Sequence, residues 1–320
     1  MSASASASAS ASGRFTVALI GASGLLGRAV AAELASAPGA RDWRIVCTAR
    51  SRADAQNVKL DLLDHDAVRA FLRERAPDAI VVAAAERRPD VCENDPALAR
   101  ALNVEALSVI ASEARSLGAW VLSISTDYVF DGTTPPYLPD DTPAPLNAYG
   151  QSKLDGERAL LAGDPASCVL RLPLLYGPFT EWNESAVTSL TPATVKSADP
   201  ANAPALMDAW ATRYPTFTPD VAVVIRGMLE HHAGGETISG ITQWSGDEPM
   251  TKFDIARRIA RVLNVDAQLV AQRTPTDATP RPRDCHLDSG RLEALGIGRR
   301  TSFDVAIAGL LARYPDVSSQ

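Results

Sequence analysis

The chain has 320 residues, 46% hydrophobic and 22% charged, enough for a large core and one or two domains. Its formal charge of −7 argues against a general nucleic-acid or anionic-membrane binder, while local basic patches stay open. No apolar run reaches the length that spans a bilayer, so no membrane partner is expected.

Residues 1–13 are a Ser/Ala repeat without the basic and apolar regions of a secretory leader, and a disordered tail is expected. Residues 14–20, "RFTVALI", are a short apolar run with β-branched members, the pattern of a buried strand. "GASGLLG" follows, then the helical pattern "RAVAAELASA". Strands are expected at 43–49, 57–61 and 78–85, with a helix over 64–75. A long helix is expected over 95–117, capped by Asn94 or Asp95 and stopped by Gly118. "AWVLSIS" and "CVLRL" read as two more strands, and "NAYGQSKLDGERAL" as the helix between them.

Strands alternating with helices predict a Rossmann-like α/β fold, a doubly wound parallel sheet covered on both faces. From about Gly177, prolines and short irregular pieces dominate as far as Pro219. Helices are then expected over 219–232, 250–264 and 302–314, the first returning to the sheet. Residues 14–176 are therefore read as the nucleotide-binding domain and 177–320 as a smaller α+β substrate or partner lobe. That lobe is expected over the carboxyl ends of the strands, where open α/β sheets bind ligands.

Gly21, Gly24 and Gly27 form GxxGxxG between the first strand and the first helix. Glycine permits a tight turn and close approach of backbone to a pyrophosphate, which the helix N-terminus then attracts. A tight turn without ligand is the plainer alternative. The second strand runs into "TARSR", with Asp42 at its other end. Cations and hydroxyls there suit a 2′-phosphate, so NADP(H) is expected; a solvated basic loop is the alternative.

Tyr149 and Lys153 lie four apart and share one helical face. They read as a proton-donating pair, as an ordinary surface pair, or as a cofactor clamp in a protein that no longer turns over substrate. An ammonium near a phenol lowers its pKa, and Lys153 can also bond ribose hydroxyls. Ser125 and Thr126, in "SISTDYVFDG" just past a strand end, can offer a hydroxyl to a substrate carbonyl beside Tyr149, or Thr126 and Asp127 can simply shape a turn. YxxxK also occurs by chance. Order and spacing favour chemistry: glycine loop, then S-T-D after a strand, then YxxxK on the next helix.

With these residues the chain resembles the extended short-chain dehydrogenase/reductases. "STDYVFDG" and "PLNAYGQSKLDGE" resemble the dTDP-4-dehydrorhamnose reductase branch more narrowly. "AAAERRPDVCENDP", "ESAVTSL", "WSGDEPMTKFDIA", "RPRDCHLD" and "LGIGRRT" resemble the regulatory β subunits of methionine adenosyltransferase. The resemblance implies an NADP(H)-binding relative of those reductases that associates with the catalytic subunit of methionine adenosyltransferase. It implies Ser23, Gly24, Leu25 and Leu26 along the pyrophosphate, Arg50 and Ser51 at the 2′-phosphate, and Asp61 and Leu62 beside the adenine. Ala83 and Arg87 would lie along the cofactor, with Tyr149, Lys153 and Leu175 near the nicotinamide half. Thr126, Tyr149 and Lys153 would form the catalytic set. Animal members of the family carry an aromatic, basic tail after the last helix that contributes to partner contact; here that region reads "ARYPDVSSQ".

Arg87 and Arg88 are candidates for phosphates of the cofactor or of a nucleotide-sugar, with Arg88 alternatively capping a helix or pairing with Glu93. Arg281 and Arg283 are a second anion pair or a plain basic loop. Trp244 reads as packing. His231 and His232, adjacent on a helix, read as a solvated helix end and not a metal site. Cys47, Cys92, Cys168 and Cys285 form no CxxC pair, which predicts reduced thiols in a cytoplasmic protein. Three functions follow: a regulatory subunit, a working NADPH-dependent reductase of a nucleotide-linked keto sugar, or an NADP(H) sensor with another partner.

Overall fold

The computed structural model describes residues 14–36, 41–51, 57–275 and 278–313. The chain runs β1 (Thr16–Ile20), α1 (Leu25–Ser36), β2 (Arg44–Ala49), β3 (Asn57–Lys59), α2 (His65–Arg75) and β4 (Ala79–Val82). Next come α3 (Pro89–Asn94), α4 (Pro96–Arg100), a π-helical turn (Ala101–Glu105), α5 (Ala106–Leu117), β5 (Trp120–Thr126), α6 (Ala148–Gly163) and β6 (Cys168–Leu172). The remainder holds β7 (Leu175–Tyr176), α7 (Thr191–Lys196), β8 (Ala205–Asp208), β9 (Thr216–Phe217), α8 (Thr218–Ala233) and β10 (Gly240–Gln243). It ends with α9 (Lys252–Leu263), β11 (Leu269–Gln272), α10 (Gly290–Glu293) and α11 (Phe303–Leu311).

Among the described residues, seven strands form a parallel sheet in the order β10-β6-β5-β4-β1-β2-β3, the Rossmann-like doubly wound arrangement. Val17, Leu19, Ala79, Val81, Leu122 and Leu170 pack with α1 and α8 on one face. Ala18, Ile20, Ile80, Val82, Val121 and Val169 pack with α2 and α5 on the other. Successive strand residues point to opposite faces and both faces are covered, hence the unbroken apolar runs in the sequence. A further cluster of Tyr176, Val187, Met250, Ile255, Ile259, Phe303 and Ile307 lies apart from these two, and two small parallel pairs, β7–β9 and β8–β11, stand outside the main sheet.

Several expectations change in detail. The seventh strand, β10, pairs with β6 although its sequence, GITQ, is too short and polar to predict a strand. Its buried polar side chains find partners inside: the Thr242 hydroxyl donates to the Val169 carbonyl (2.8 Å) and Gln243 Nε2 to the Tyr137 carbonyl (2.8 Å), while Gln243 Oε1 is left without a partner. β4 ends at Val82, not at 85, and Ala83–Ala85 leaves the ladder after one bond from Ala83 N to the Ile20 carbonyl. The helix expected over 95–117 is interrupted by the π-helical turn, with Asp95 as its cap through Leu98 N and Asn94 closing the unanticipated α3. His232 is only partly solvated: its ring stacks on Trp120 at 5.1 Å, and partial burial lowers its pKa. No described helix is long and apolar enough to cross a membrane.

Candidate functional site

β1 delivers the glycine loop to the carboxyl edge of the sheet. Gly21 has φ of +88°, a region that L side chains avoid, and a Cβ there would lie 2.8 Å from Ala84 N. A Cβ on Gly27 would lie 2.2 Å from the Gly21 carbonyl oxygen, so glycine lets α1 start directly under the loop. The helix begins at Leu25, earlier than the sequence pattern indicated, which puts Gly27 inside its first turn. Gly24 is exposed, and a Cβ there would meet only the Gly21 oxygen, at 3.4 Å. A side chain at 24 would therefore fold but fill the open cradle at the helix N-terminus. A cradle of this form fits a dinucleotide pyrophosphate.

The other expected cofactor residues surround the same edge. Arg50 and Ser51 are exposed just past β2; Arg52 lies outside the described residues. Asp61 lines an open groove with Leu63, Asp64 and His65. Leu26 and Leu62 have their side chains in the two cores, so either would present backbone to a nucleotide. Ala83 follows β4, Arg87 is exposed in the loop beyond it, and Leu175 opens β7. Arg88 does not pair with Glu93. Its Nε and Nη2 donate to Glu86 at 2.8 and 2.7 Å, and Glu93 accepts from Ala148 N.

Thr126 is the last residue of β5, not past its end. Its hydroxyl donates to Asp127 Oδ1 (3.1 Å) and accepts from Tyr128 N (3.2 Å), and it also bonds the Tyr149 phenol. Lys153 is buried, and its Nζ donates to the Ile124 carbonyl at 2.8 Å. Burial lowers its pKa to about 8, against raising effects of Glu157 and Cys92. The expected lowering of the Tyr149 pKa is corrected. Burial pushes the phenol up, and the Thr126 bond offsets only part of that. Tyr149 therefore keeps its proton at neutral pH, the form that donates rather than accepts.

A network unseen in the sequence holds this set in place. The π-helical turn turns Asn103 inward, where Nδ2 donates to the Glu86 carbonyl and to the Ser152 hydroxyl, both at 3.0 Å. Its Oδ1 accepts from Glu86 N at 3.0 Å, so one side chain ties the β4 exit loop to the helix of Tyr149 and Lys153. Gly150 and Gly156 make the approach close; a Cβ on either would lie 2.1 Å from the Tyr128 or the Asn103 carbonyl oxygen. Ser125, offered above as an alternative hydroxyl, is instead bonded to Glu157, which Arg171 holds in a buried two-point pair.

Beside Tyr149 stand residues with little or no sequence signal. The Tyr128 ring meets the Tyr149 ring edge-on at 5.8 Å, and Arg213 lies 5.8 Å from the Tyr128 ring centre. Asp127 is buried, and burial raises its pKa to about 6 despite Arg213 and Thr126. Beyond them is a cavity of about 230 Å³ lined by Arg213, Arg281, Lys252, Trp210, Asp208 and Leu190, among others. Trp244 is buried packing, with Arg300 over its ring at 4.2 Å. Among the described residues no His/Cys/Asp/Glu group is arranged to hold a metal.

The family described as RmlD substrate binding domain matches residues 15–315. The chain is 44% identical over 293 residues to methionine adenosyltransferase 2 subunit beta of Pongo abelii, covering 91% of this chain and 85% of that protein. It is 35% identical over 234 residues to dTDP-4-dehydrorhamnose reductase of Salmonella typhimurium, covering 69% of this chain and 73% of that one. The dTDP-4-dehydrorhamnose reductase of Bacillus anthracis, solved in complex with NADP, superposes with a TM-score of 0.78. That match covers 95% of this chain and all of that one at 23% identity, a likeness of fold. The chain belongs to the RmlD substrate binding domain family of dTDP-4-dehydrorhamnose reductase-like proteins, among the methionine adenosyltransferase beta subunits.

Proposed function

We propose that this chain is an NADP(H)-binding regulatory subunit that docks on the catalytic subunit of methionine adenosyltransferase and modulates S-adenosylmethionine synthesis. The observation that carries the reading is 44% identity, over 91% of the chain, to a protein named as the beta subunit of that enzyme. Stretches such as "ESAVTSL" and "LGIGRRT", which carry the resemblance, lie apart from the Thr–Tyr–Lys set. In this reading the loop from Gly21 to Gly27 receives the pyrophosphate, Arg50 and Ser51 receive the 2′-phosphate, and Lys153 bonds the ribose. Occupancy stabilises the folded chain by mass action. Four free thiols, three of them buried, suit a reducing cytoplasm. Co-purification with the catalytic subunit, followed by titration of its kinetics, tests the reading. Association with a changed rate or stability is expected; neither association nor any kinetic change overturns it.

A second reading is an NADPH-dependent reductase of a nucleotide-linked keto sugar. Two features favour it: the intact Thr126, Tyr149 and Lys153 set, and three cations lining the cavity beside Tyr128. Bound NADPH would supply hydride to the carbonyl carbon. Thr126 would hold the carbonyl oxygen, and the phenol of Tyr149, kept protonated by burial, would give it the proton. NADPH absorbance with a dTDP-4-dehydro sugar is the assay. Turnover in wild type that is lost in Tyr149→Phe supports it; no turnover, or equal turnover, rejects it.

A further inference from the structure

Arg28, the fourth residue of α1, reaches three groups outside its helix. Nη1 donates to the Ser23 carbonyl at 2.9 Å and to Glu184 Oε1 at 3.3 Å. Nη2 donates to Glu184 Oε2 at 2.5 Å and to the Pro178 carbonyl at 3.3 Å. Ser23 belongs to the glycine loop; Pro178 and Glu184 belong to the second-lobe segment that follows β7. One guanidinium thus ties the loop to backbone 150 residues further along the chain.

Glu184 is fixed from its own side as well. Thr180 donates to it through N (3.2 Å) and through its hydroxyl (2.8 Å). Burial alone would raise its pKa, but the Arg28 and Thr180 donors overcome that and hold it at about 2, so it is a carboxylate at any physiological pH. The chain next makes a closed turn in which the Ser185 hydroxyl accepts from Thr188 N (3.0 Å) and the Thr188 hydroxyl donates to the Trp182 carbonyl (2.8 Å). The turn leads to Leu190, which lines the lobe cavity. The connected path therefore runs glycine loop, Arg28, Glu184, turn, cavity wall. A fork of two directed bonds on a carboxylate fixes the relative orientation of its partners, which a single point charge does not.

We propose that the Arg28–Glu184 pair couples occupancy of the glycine loop to the order of segment 178–190, and through it to the lobe cavity. This rests on the dinucleotide reading above and adds a regulatory consequence. Phosphate on the loop fixes the Ser23 peptide, the Ser23 carbonyl fixes the guanidinium, and the guanidinium fixes the segment. By thermodynamic reciprocity, whatever occupies the cavity or docks on the segment changes NADPH affinity by the same factor.

Hydrogen exchange across 178–190, with and without saturating NADPH, tests this on the full chain, with calorimetry on the same samples. In wild type NADPH slows exchange there by about tenfold. In Arg28→Lys and Glu184→Gln the slowing falls below about twofold although NADPH still binds. Glu33→Gln breaks a different ion pair of the same helix, to Arg226, and keeps the full slowing. If either site variant misfolds, Thr180→Val removes one donor to Glu184, leaves Arg28 in place, and shows intermediate slowing. Equal slowing in wild type and in the Arg28 and Glu184 variants overturns the coupling, as does bound NADPH without slowing in wild type. Absence of NADPH binding appears separately, as a flat calorimetric trace, and removes the dinucleotide reading together with the coupling.

Discussion

Two polar clusters, one fully buried and one partly open at Tyr149, lie one turn apart on α6, and they are built in opposite ways. At Glu157 the charges match: Arg171 donates through Nε (3.0 Å) and Nη2 (2.7 Å), and Ser125 supplies a further donor. The rest of Arg171 is used too, with Nη1 on the Pro139 carbonyl and the guanidinium 5.0 Å from the Phe130 ring centre. At Tyr149 and Lys153 the groups are desolvated without such pairing: the lysine has a neutral carbonyl, the phenol a neutral hydroxyl, and Asp127 a pKa of about 6. A matched cluster holds structure. Titratable groups pushed from their ordinary values, beside a cavity, mark a site for chemistry or charged ligands.

The sharpest way to break this comparison is to remove one partner from each cluster. Glu157→Ala leaves Arg171 buried and uncompensated, and should lose about 3–5 kcal/mol in urea unfolding. Tyr149→Phe should stay within about 1 kcal/mol of wild type. Equal losses would make the two clusters alike.

Next comes pH. Asp127 is raised from 3.8 to about 6, so between those values the folded state holds a proton that the unfolded state has released. Its contribution to stability then falls as pH rises from about 4 to 6, by roughly 3 kcal/mol at most, and is flat above. Asp127→Asn should remove that contribution from the slope of unfolding curves taken across this window. A slope of unchanged size would place the titrating group elsewhere.

A second pH effect, of similar size and opposite sign, sharpens the contrast. Lys153 is lowered from 10.5 to about 8, so the folded state takes up its proton less readily, and stability declines as pH falls from about 10 to 8. Lys153→Met should remove that decline and leave stability at pH 7 unchanged or about 1 kcal/mol higher. It should also weaken NADPH binding about tenfold, since the proposed bond to the ribose would be lost. Lower stability without loss of affinity would make Lys153 a structural residue.

What the sequence disclosed follows from where the signals are local. The strands of both sheet faces are continuous apolar runs, and the glycine spacing and YxxxK are contiguous patterns, so the fold and the main candidate residues were legible. β10 was not, because its buried Thr242 and Gln243 look polar until their partners are known. Asn103 was hidden inside a helical pattern, since a π-helical turn leaves no composition signature. Arg213 and the Arg28–Glu184 pair act across long separations, which no window can show. The direction of the Tyr149 shift was misjudged because spacing shows a nearby ammonium but not how deeply the phenol is desolvated, nor that the ammonium is bonded to Ile124.

Calorimetric titration of the purified chain with NADPH and NADH, repeated on Gly24→Val, bears most directly on a dinucleotide lying over the glycine loop. One site is expected, with NADPH tighter than NADH by about tenfold, and no binding by the folded variant whose side chain fills the cradle. No heat from either nucleotide with wild type, or unchanged binding by Gly24→Val, would contradict it.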